Sequence, residues 1–386
     1  MRISLIIGIT AVLCAALLSF VATPLVRVLA FKIGAVDIPK DDRRMHRVPI
    51  PRIGGLAIFI GFALTVLSFC ELTRFHAVML FGALILTVMG VLDDIFNLKP
   101  VCKLAVQIAV AVFAVLEGVS IRFITLGNDT LLLGKWSVLI TVIWIVGLIN
   151  SMNLIDGLDG LACGVSAICS ISLFVVMIVL GDYRSALITA ILIGACVGFM
   201  PFNIHPAKIF MGDTGSQVLG YLLALISVQG VFKTHTVLSF LIPLSIFGLP
   251  LFDTGFAIIR RIIHGKNPFS ADRGHIHHRL IDMGFGQKKS VMILYSICGL
   301  LGIAAVLLTL QYYVPAALIS ISGFALFIIS SHIYKNTSTR AYTGMFDEVD
   351  AKETGIFIAA EKDISNQVKD LAQNADTKRD TKENTD

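Results

Sequence analysis

Long apolar runs follow one another along the first 334 residues, and clusters of charged residues, Pro and Gly separate them. A bilayer core about 30 Å thick needs roughly 20 apolar residues for each helical crossing. With breaks placed at those clusters, the pattern predicts about eleven membrane spans. They are 3–23, 53–70, 76–92, 101–117, 136–151, 162–180, 186–202, 216–231, 237–259, 290–310 and 314–334. The sequence therefore predicts an all-α, polytopic membrane protein.

The composition supports this class and divides the chain in two. Hydrophobic residues make up 56% of the chain and charged residues 15%, against roughly 45–50% and about 25% in soluble domains. Disorder, a collagen-like fibre and most soluble enzymes are thereby excluded. Residues 335–386 are polar, with 8 basic and 11 acidic residues. We expect a transmembrane catalytic domain over 1–334 and a flexible tail over 335–386 without a catalytic role.

The distribution of Lys and Arg predicts the orientation of the chain. Because cytoplasmic loops carry an excess of Lys and Arg, the richer of the two alternating loop sets should lie inside. One set carries 17 basic residues and the other 6. The richer set comprises loops 24–52, 93–103, 152–161, 203–215 and 260–289. This places the N-terminus outside, the C-terminal tail in the cytoplasm and the polar clusters on the cytoplasmic face.

Two adjacent acids, Asp93 and Asp94, directly follow an apolar run in the third predicted span. A carboxylate beside hydrocarbon is costly unless it has a cation or a water-filled cavity as partner. The pair is therefore a candidate for catalysis. A solvated helix end at the membrane interface would explain it equally well.

A second acidic cluster occupies the loop Asn153-Leu-Ile-Asp-Gly-Leu-Asp-Gly160. Asn153, Asp156 and Asp159 are spaced by three residues, which puts their oxygens on roughly one face of a helical turn. The loop contains no Lys or Arg, so a divalent cation is the natural counter-charge. Asp156 is thus a further candidate catalytic carboxylate, against the alternative of a capped helix junction.

The segment before the eighth span adds Asp213 between two glycines, with Phe210 as a stacking surface for a nucleobase. A helix N-cap and an interfacial aromatic residue are the alternative interpretation.

Two basic segments complete the inner face. The loop 260–289 contains Arg273, His275, His277 and His278, side chains that suit a phosphate or pyrophosphate ligand. A zinc site is a weaker alternative, since no cysteine lies near. The first inner loop offers Arg43, Arg44 and His46 as further candidate phosphate contacts. A loop that is basic only to set the membrane orientation is the alternative interpretation.

Five inner segments thus supply hard oxygen ligands or phosphate-binding cations. A Mg²⁺ site, or a Mn²⁺ site, that handles a phosphorylated substrate is the shared explanation.

These motifs resemble the polyprenyl-phosphate N-acetylhexosamine-1-phosphate transferases of glycosyltransferase family 4. That family includes the phospho-MurNAc-pentapeptide translocases and the dolichyl-phosphate GlcNAc-1-phosphotransferases. The matching pieces, spread over roughly residues 1–330, are Leu92-Asp-Asp94, Asn153–Gly160, Phe210-Met-Gly-Asp-Thr-Gly-Ser216 and His275-Ile-His-His278. The resemblance implies transfer of a sugar 1-phosphate from a UDP-sugar to a polyprenyl phosphate, with release of UMP and a need for Mg²⁺.

Roles for individual residues follow from the same resemblance. It implies that Asn153 and Asp213 are metal ligands, that Asp159 and Phe210 contact uracil, and that Asn203 neighbours the ribose or nucleotide. Asp93 and Asp94 stand where the lipid phosphate is activated. The histidine motif stands where the diphosphate is held, with His277 and His278 as catalytic candidates and Arg273 and His275 as binding candidates.

Within the family, the stretch Asp272-Arg-Gly-His-Ile-His-His-Arg279 departs from the three consecutive histidines of the pentapeptide branch. The resemblance is therefore nearer to the bacterial branch that uses UDP-GlcNAc and starts teichoic acid or O-antigen chains. Asn97 stands where the other branch has a lysine, so that cation is either absent or supplied from another loop.

The resemblance implies UDP-GlcNAc and undecaprenyl phosphate as substrates, the bacterial cell membrane as location and a homodimer as assembly. No nucleic-acid partner is expected. The alternatives are a pentapeptide transferase and, from another class, a transporter or flippase.

Overall fold

A computed structural model of the chain describes residues 5–37, 49–126, 129–232, 240–265 and 274–325. These residues belong to one compact unit, Met1–Ser331, and the predicted tail lies outside them. The helices are α1 Leu5–Ile33, α2 Gly55–Phe69, α3 Arg74–Phe96, α4 Pro100–Leu116, α5 Trp136–Ile155, α6 Leu161–Leu180, α7 Tyr183–Asn203, α8 Gly212–Gly230, α9 Leu241–Ile246, α10 Gly248–Ile263, α11 Ile276–Asp282, α12 Gln287–Thr309 and α13 Tyr313–Ala325.

The predicted class, an all-α membrane protein, is confirmed. Each predicted span overlaps at least one helix, and within the described residues six helices are long and apolar enough to cross a bilayer. These six are α1, α3, α5, α6, α7 and α12. The number of eleven crossings and their orientation stay predictions.

Two short antiparallel strand pairs were not predicted. β1 Val36–Asp37 pairs with β2 Ile50–Pro51, and β3 Phe123–Leu126 pairs with β4 Asp129–Leu132. Strands of two to four residues are too short to leave an alternating pattern in the sequence. The first pair matters for function, because β2 leads directly into the residues that pack against the start of α8.

Two predicted spans differ from the observed helices at prolines. Helix α1 continues through Pro24 to Ile33, whereas the predicted span ended at residue 23, directly before this proline. The ninth span is interrupted between α9 and α10, where Pro250 has no N–H to donate to the carbonyl of Ile246. The thiol of Cys169 donates to that carbonyl instead, at 3.2 Å. A carbonyl freed inside the membrane domain is thus satisfied by a neighbouring helix.

Helix α8 is the central helix of the described part of the domain. It packs against α2, α3, α5, α6 and α7, and all of its residues except Asp213 and Gln229 are buried. Small residues let these helices approach closely, as is usual in membranes. Gly55 of α2, for example, lies so close to the backbone of Gly215 that an added Cβ would overlap it. The N-terminal end of α8 is therefore the point at which the other elements converge.

The turn between α3 and α4 places the end of one helix beside the start of the next. Asn97 ends α3 in the left-handed conformation, with φ 50°, and Pro100 begins α4 at a position where its missing N–H is not needed. The last turn of α3, with Asp93 and Asp94, thus lies beside the first turn of α4.

Candidate active site

Asp94 binds the first turn of α8. Its carboxylate accepts hydrogen bonds from the backbone N–H groups of Asp213 and Thr214, both at 3.2 Å, and from the Thr214 hydroxyl at 2.7 Å. A carboxylate at a helix N-terminus satisfies unpaired N–H groups and interacts favourably with the helix dipole. Asp94 is 5% exposed, and Arg52 lies 3.6 Å away as its cationic partner. The structure therefore gives Asp94 a direct part in placing Asp213.

Gly212 explains the approach of the chain to this position. Its φ is +71°, and a Cβ there would overlap the backbone carbonyl of Arg52. Only glycine combines this conformation with such close packing at low cost. The backbone of the preceding residues is tied to β2 and α2, because Phe210 N–H donates to the Pro51 carbonyl at 2.8 Å and Gly54 N–H to the Phe210 carbonyl at 2.9 Å.

Lys103 joins Asp93 to Asp213. Its ammonium group lies 2.9 Å from Oδ2 of each carboxylate, and Asp93 Oδ1 accepts the Leu98 N–H at 2.8 Å. Asn97 carries no charge, and Lys103 in the first turn of α4 supplies a cation beside these two acids. Lys103 was missed from the sequence, although a lysine inside an apolar run was itself a signal.

The loop after α5 contributes Asn153 and Asp156. The Asn153 amide donates to the Ser216 hydroxyl on α8 at 3.0 Å and also interacts with Asp213. Burial, followed by the negative charges of Asp213 and Asp94, raises the pKa of Asp156 to about 8. We call this group the α8 site: Asp93, Asp94, Lys103, Asn153, Asp156 and Asp213.

The donor set of the α8 site fits Mg²⁺. Four carboxyl groups lie around two cations, Lys103 and Arg52, so the site offers acidic oxygen atoms to a divalent ion. Among the described residues, no group of three His, Cys, Asp or Glu side chains is arranged to hold a metal ion. Mg²⁺ is usually bound by one or two carboxylates together with substrate phosphates and water, so Asn153 and Asp213 would be enough protein ligands for such an ion.

A second group of contacts joins the loop of Asp159 to the segment between α7 and α8. Asp159 Oδ2 lies 2.7 Å from His205 Nδ1 and accepts the Ala207 N–H at 3.1 Å. The Asn203 amide is buried and donates to the Ile209 carbonyl at 3.0 Å, so it shapes the segment from within. Phe210 is half-buried in the same segment.

The histidine motif reaches this loop from the C-terminal part of the domain. Asp253 of α10 holds it, because its carboxylate lies 2.8 Å from His275 Nδ1 and accepts the Ile276 N–H at 2.9 Å. His277 packs so closely on Gly157 that a Cβ there would overlap the imidazole. His278 lies beside it, with ring centroids 4.2 Å apart.

His277 is neutral at physiological pH. Burial, followed by the neighbouring His278, lowers its pKa to about 3. Its Nδ1 is buried without a hydrogen-bond partner among the described residues. A buried imidazole nitrogen that lacks a partner is suited to a ligand or an ordered water molecule.

The structure thus brings the α3, α5–α6 loop and α8 motifs together and docks the histidine motif on the same loop. Four candidates of the basic loops, Arg43, Arg44, His46 and Arg273, lie outside the described residues. Sequence reasoning missed Lys103, Asp253 and His205. Asp253 had a signal of the same kind as Lys103, a charge within an apolar run, whereas a single histidine in a polar loop gave none.

Asp156 provides a test of the electrostatics. Between the usual aspartate value of about 3.9 and its own pKa of about 8, the folded protein binds more protons at this group than the unfolded chain. The contribution of Asp156 to stability must therefore fall as pH rises through this range. We expect Asp156→Asn in EDTA to melt a few degrees higher than the wild type at pH 8, with a smaller gain at pH 5. Asp182→Asn is the matched control, because Asp182 lies at the N-terminal end of α7, whereas the site lies near its C-terminal end. A gain that does not change with pH would contradict the assignment.

Lys103 provides a second test. Removal of one partner from a buried ion pair costs about 3–5 kcal/mol, and we expect about 1–3 kcal/mol here because 23% of the Lys103 side chain is exposed. Lys103→Met should lower the melting temperature in EDTA, and added Mg²⁺ should restore part of the loss, because a cation replaces the missing charge. Lys99→Met, an exposed lysine one turn earlier, should change neither. Equal melting temperatures for Lys103→Met and the wild type would show that the bridge contributes nothing to stability.

Comparison with known proteins points to the part of the chain that carries the α8 site. The model of glycosyl transferase family 4 matches residues 76–231. The probable undecaprenyl-phosphate N-acetylglucosaminyl 1-phosphate transferase of Bacillus subtilis is 42% identical over 80% of this chain and 85% of its own. A decaprenyl-phosphate N-acetylglucosaminephosphotransferase of Mycolicibacterium smegmatis is 37% identical over 76% and 80%. The undecaprenyl-phosphate alpha-N-acetylglucosaminyl 1-phosphate transferase of Escherichia coli K12 is 28% identical over 82% and 87%.

The matched segment carries Asp93, Asp94, Asn153, Asp156 and Asp213, and the similarity to the relatives extends over most of both chains. The chain therefore belongs to glycosyl transferase family 4.

Proposed function

We propose that this chain transfers GlcNAc-1-phosphate from UDP-GlcNAc to undecaprenyl phosphate and releases UMP. The names of the B. subtilis, E. coli and M. smegmatis relatives support a GlcNAc-1-phosphate transferase with a polyprenyl-phosphate acceptor. The observation that carries the proposal is the α8 site, in which oxygen ligands and a lysine meet at the end of an apolar helix bundle. A water-soluble nucleotide and a membrane-bound phosphate can meet at such a place.

The reaction exchanges one phosphoanhydride bond for another. An oxygen of the acceptor phosphate forms a bond to the phosphorus that carries the sugar, the bond between that phosphorus and the bridging oxygen breaks, and UMP leaves with this oxygen. Asn153 and Asp213 would hold Mg²⁺, which would neutralise phosphate charge and stabilise the leaving UMP. Lys103, placed between Asp93 and Asp213, supplies a fixed positive charge on the same side of the site.

Asp93 positions groups and does not attack. Both of its oxygens accept hydrogen bonds, one from Lys103 and one from the Leu98 N–H, which disfavours a covalent aspartyl-phosphate. A general base is not required, because a phosphate monoester has a second pKa near 6 and is mostly dianionic at pH 7. Asp94, bound to the first turn of α8, positions Asp213 in turn.

The nucleotide binds beside Asp159 and Phe210. A carboxylate accepts hydrogen bonds only, so it suits the N–H of a uracil ring and disfavours cytosine, which has an acceptor at that position. His205 and the Ala207 N–H hold Oδ2 of Asp159 in place. Asn203 fixes the segment that carries Phe210. The diphosphate extends toward His277 and His278, where the neutral His277 contributes a hydrogen bond and no charge.

The protein works in the bacterial cell membrane with the site facing the cytoplasm. The six long apolar helices among the described residues and the excess of Lys and Arg in the inner loops support this placement. A homodimer remains an expectation from the family resemblance.

Turnover by the purified protein tests the proposal. In detergent with undecaprenyl phosphate and Mg²⁺, we expect UMP and a lipid-linked product from UDP-GlcNAc. EDTA should abolish the reaction, and Asp213→Asn should reduce it at least about 100-fold, as is typical of lost metal ligation and its support. Asp182→Asn, an equally good helix N-cap on the far end of α7, is the control and should keep full turnover.

Other donors separate the alternatives. Product from UDP-MurNAc-pentapeptide and none from UDP-GlcNAc would keep the chemistry and overturn the proposed donor. Turnover with decaprenyl phosphate in place of undecaprenyl phosphate measures the selectivity for the length of the acceptor. If no donor yields UMP, the proposed transferase activity would be wrong and a transporter would be the better explanation.

A further inference from the structure

Three amide side chains lie deeper in the helix bundle than the acids of the α8 site. They are Gln107 on α4, Asn150 on α5 and Gln217 on α8. Gln107 is 2% exposed, Gln217 is fully buried, and Asn150 is half-buried. Amides without partners are costly in the interior of a membrane domain, and polar residues there mark functional positions by default.

The three amides form a continuous hydrogen-bonded chain that ends on Asp213. Asn150 Nδ2 donates to Gln107 Oε1 at 2.7 Å. Gln107 Nε2 donates to Gln217 Oε1 at 2.9 Å. Gln217 Nε2 donates to Asp213 Oδ2 at 3.2 Å. Three helices are therefore linked to the carboxylate by a single path.

The carboxylate fixes the donor-to-acceptor order of these hydrogen bonds. Since an ionised Asp213 can only accept, Gln217 must turn its NH₂ group toward it and its carbonyl oxygen away. That oxygen requires a donor, which obliges Gln107 to present its NH₂ group, and the same reasoning applies to Asn150. Aligned donors polarise one another and strengthen the last bond to the carboxylate.

The register of the helices produces two parallel contacts. Lys103 and Gln107 are four residues apart on α4, and Asp213 and Gln217 are four residues apart on α8, so each pair lies on one helix face. Lys103 meets Asp213 at 2.9 Å, and one turn deeper Gln107 meets Gln217 at 2.9 Å. Asp213 Oδ2 thereby accepts hydrogen bonds from the Lys103 ammonium group and from the Gln217 amide.

We propose that Gln217, Gln107 and Asn150 are positioning residues that hold the Asp213 carboxylate in its metal-binding orientation before the metal arrives. The inference rests on the proposed function, in which Asp213 is a metal ligand. Partners that orient a ligand typically contribute 10–100-fold to metal affinity or activity. If the amides served only to join helices, their loss would lower stability and leave metal affinity unchanged.

Mn²⁺ binding by the full-length protein in detergent tests the inference, with free Mn²⁺ followed by electron paramagnetic resonance. We expect Gln217→Met to raise the dissociation constant for Mn²⁺ about 10-fold and Gln107→Met about 3-fold, with a smaller rise for Asn150→Leu, because each cut lies farther from the carboxylate. The double variant Gln217→Met/Gln107→Met should bind like Gln217→Met alone, since the chain is already cut at its last bond.

Tyr221→Phe is the matched control. It removes a buried hydrogen bond between α8 and α3, from the Tyr221 hydroxyl to the Val78 carbonyl at 3.1 Å, one turn beyond Gln217 and outside the chain. It should lower the melting temperature without a change in Mn²⁺ affinity.

Amide variants that behave like Tyr221→Phe, beside a wild type that binds Mn²⁺ and turns over, would overturn this inference alone. A wild type that neither binds Mn²⁺ nor releases UMP would overturn it together with the proposed function.

Discussion

The bond between Asp94 and the first turn of α8 is the constraint on which the site depends. Helix α8 is buried along its length, and its N-terminal N–H groups need acceptors in a place with little water. The Asp94 carboxylate supplies them from α3 and thereby places Asp213 at the end of the central helix. Once this contact is made, Lys103 and Asn153 reach Asp213 from α4 and from the loop after α5.

The same contact creates an electrostatic problem that shapes the rest of the site. Acids collected at the end of an apolar bundle raise one another's free energy of ionisation, and burial adds to the cost. Lys103 and Arg52 compensate part of this charge. The remainder is the reason for proposing a divalent cation at this site. An excess of carboxylates over cations thus connects the fold to phosphate chemistry.

Hydropathy predicted most of the helices, and isolated acids marked much of the candidate site, whereas tertiary contacts account for what the sequence could not predict. Each predicted span overlaps at least one helix, and groups from α3 and from the loop after α5 meet the start of α8. Lys103 escaped notice because a lysine near a span end resembles a topogenic charge, although its contacts lie with Asp93 and Asp213. Asp253 lies within an apolar run, and its role depends on a histidine 22 residues away in sequence. A charge within an apolar run marks each residue as unusual, but the identity of its partner leaves no local pattern.

Residues proposed to contact substrate and residues proposed to position a metal ligand lie at different depths of the helix bundle. The groups proposed to touch substrate, such as Asp159 and His278, lie in loops or at helix ends and keep some exposure. Gln107 and Gln217, which hold Asp213, lie within helices and are buried. A carboxylate at a membrane surface can rotate freely, whereas one tied to a buried amide cannot, and a ligand already in place loses less entropy when it binds. The polar residues inside the bundle therefore act on the chemistry at its end through orientation, which requires that they be buried.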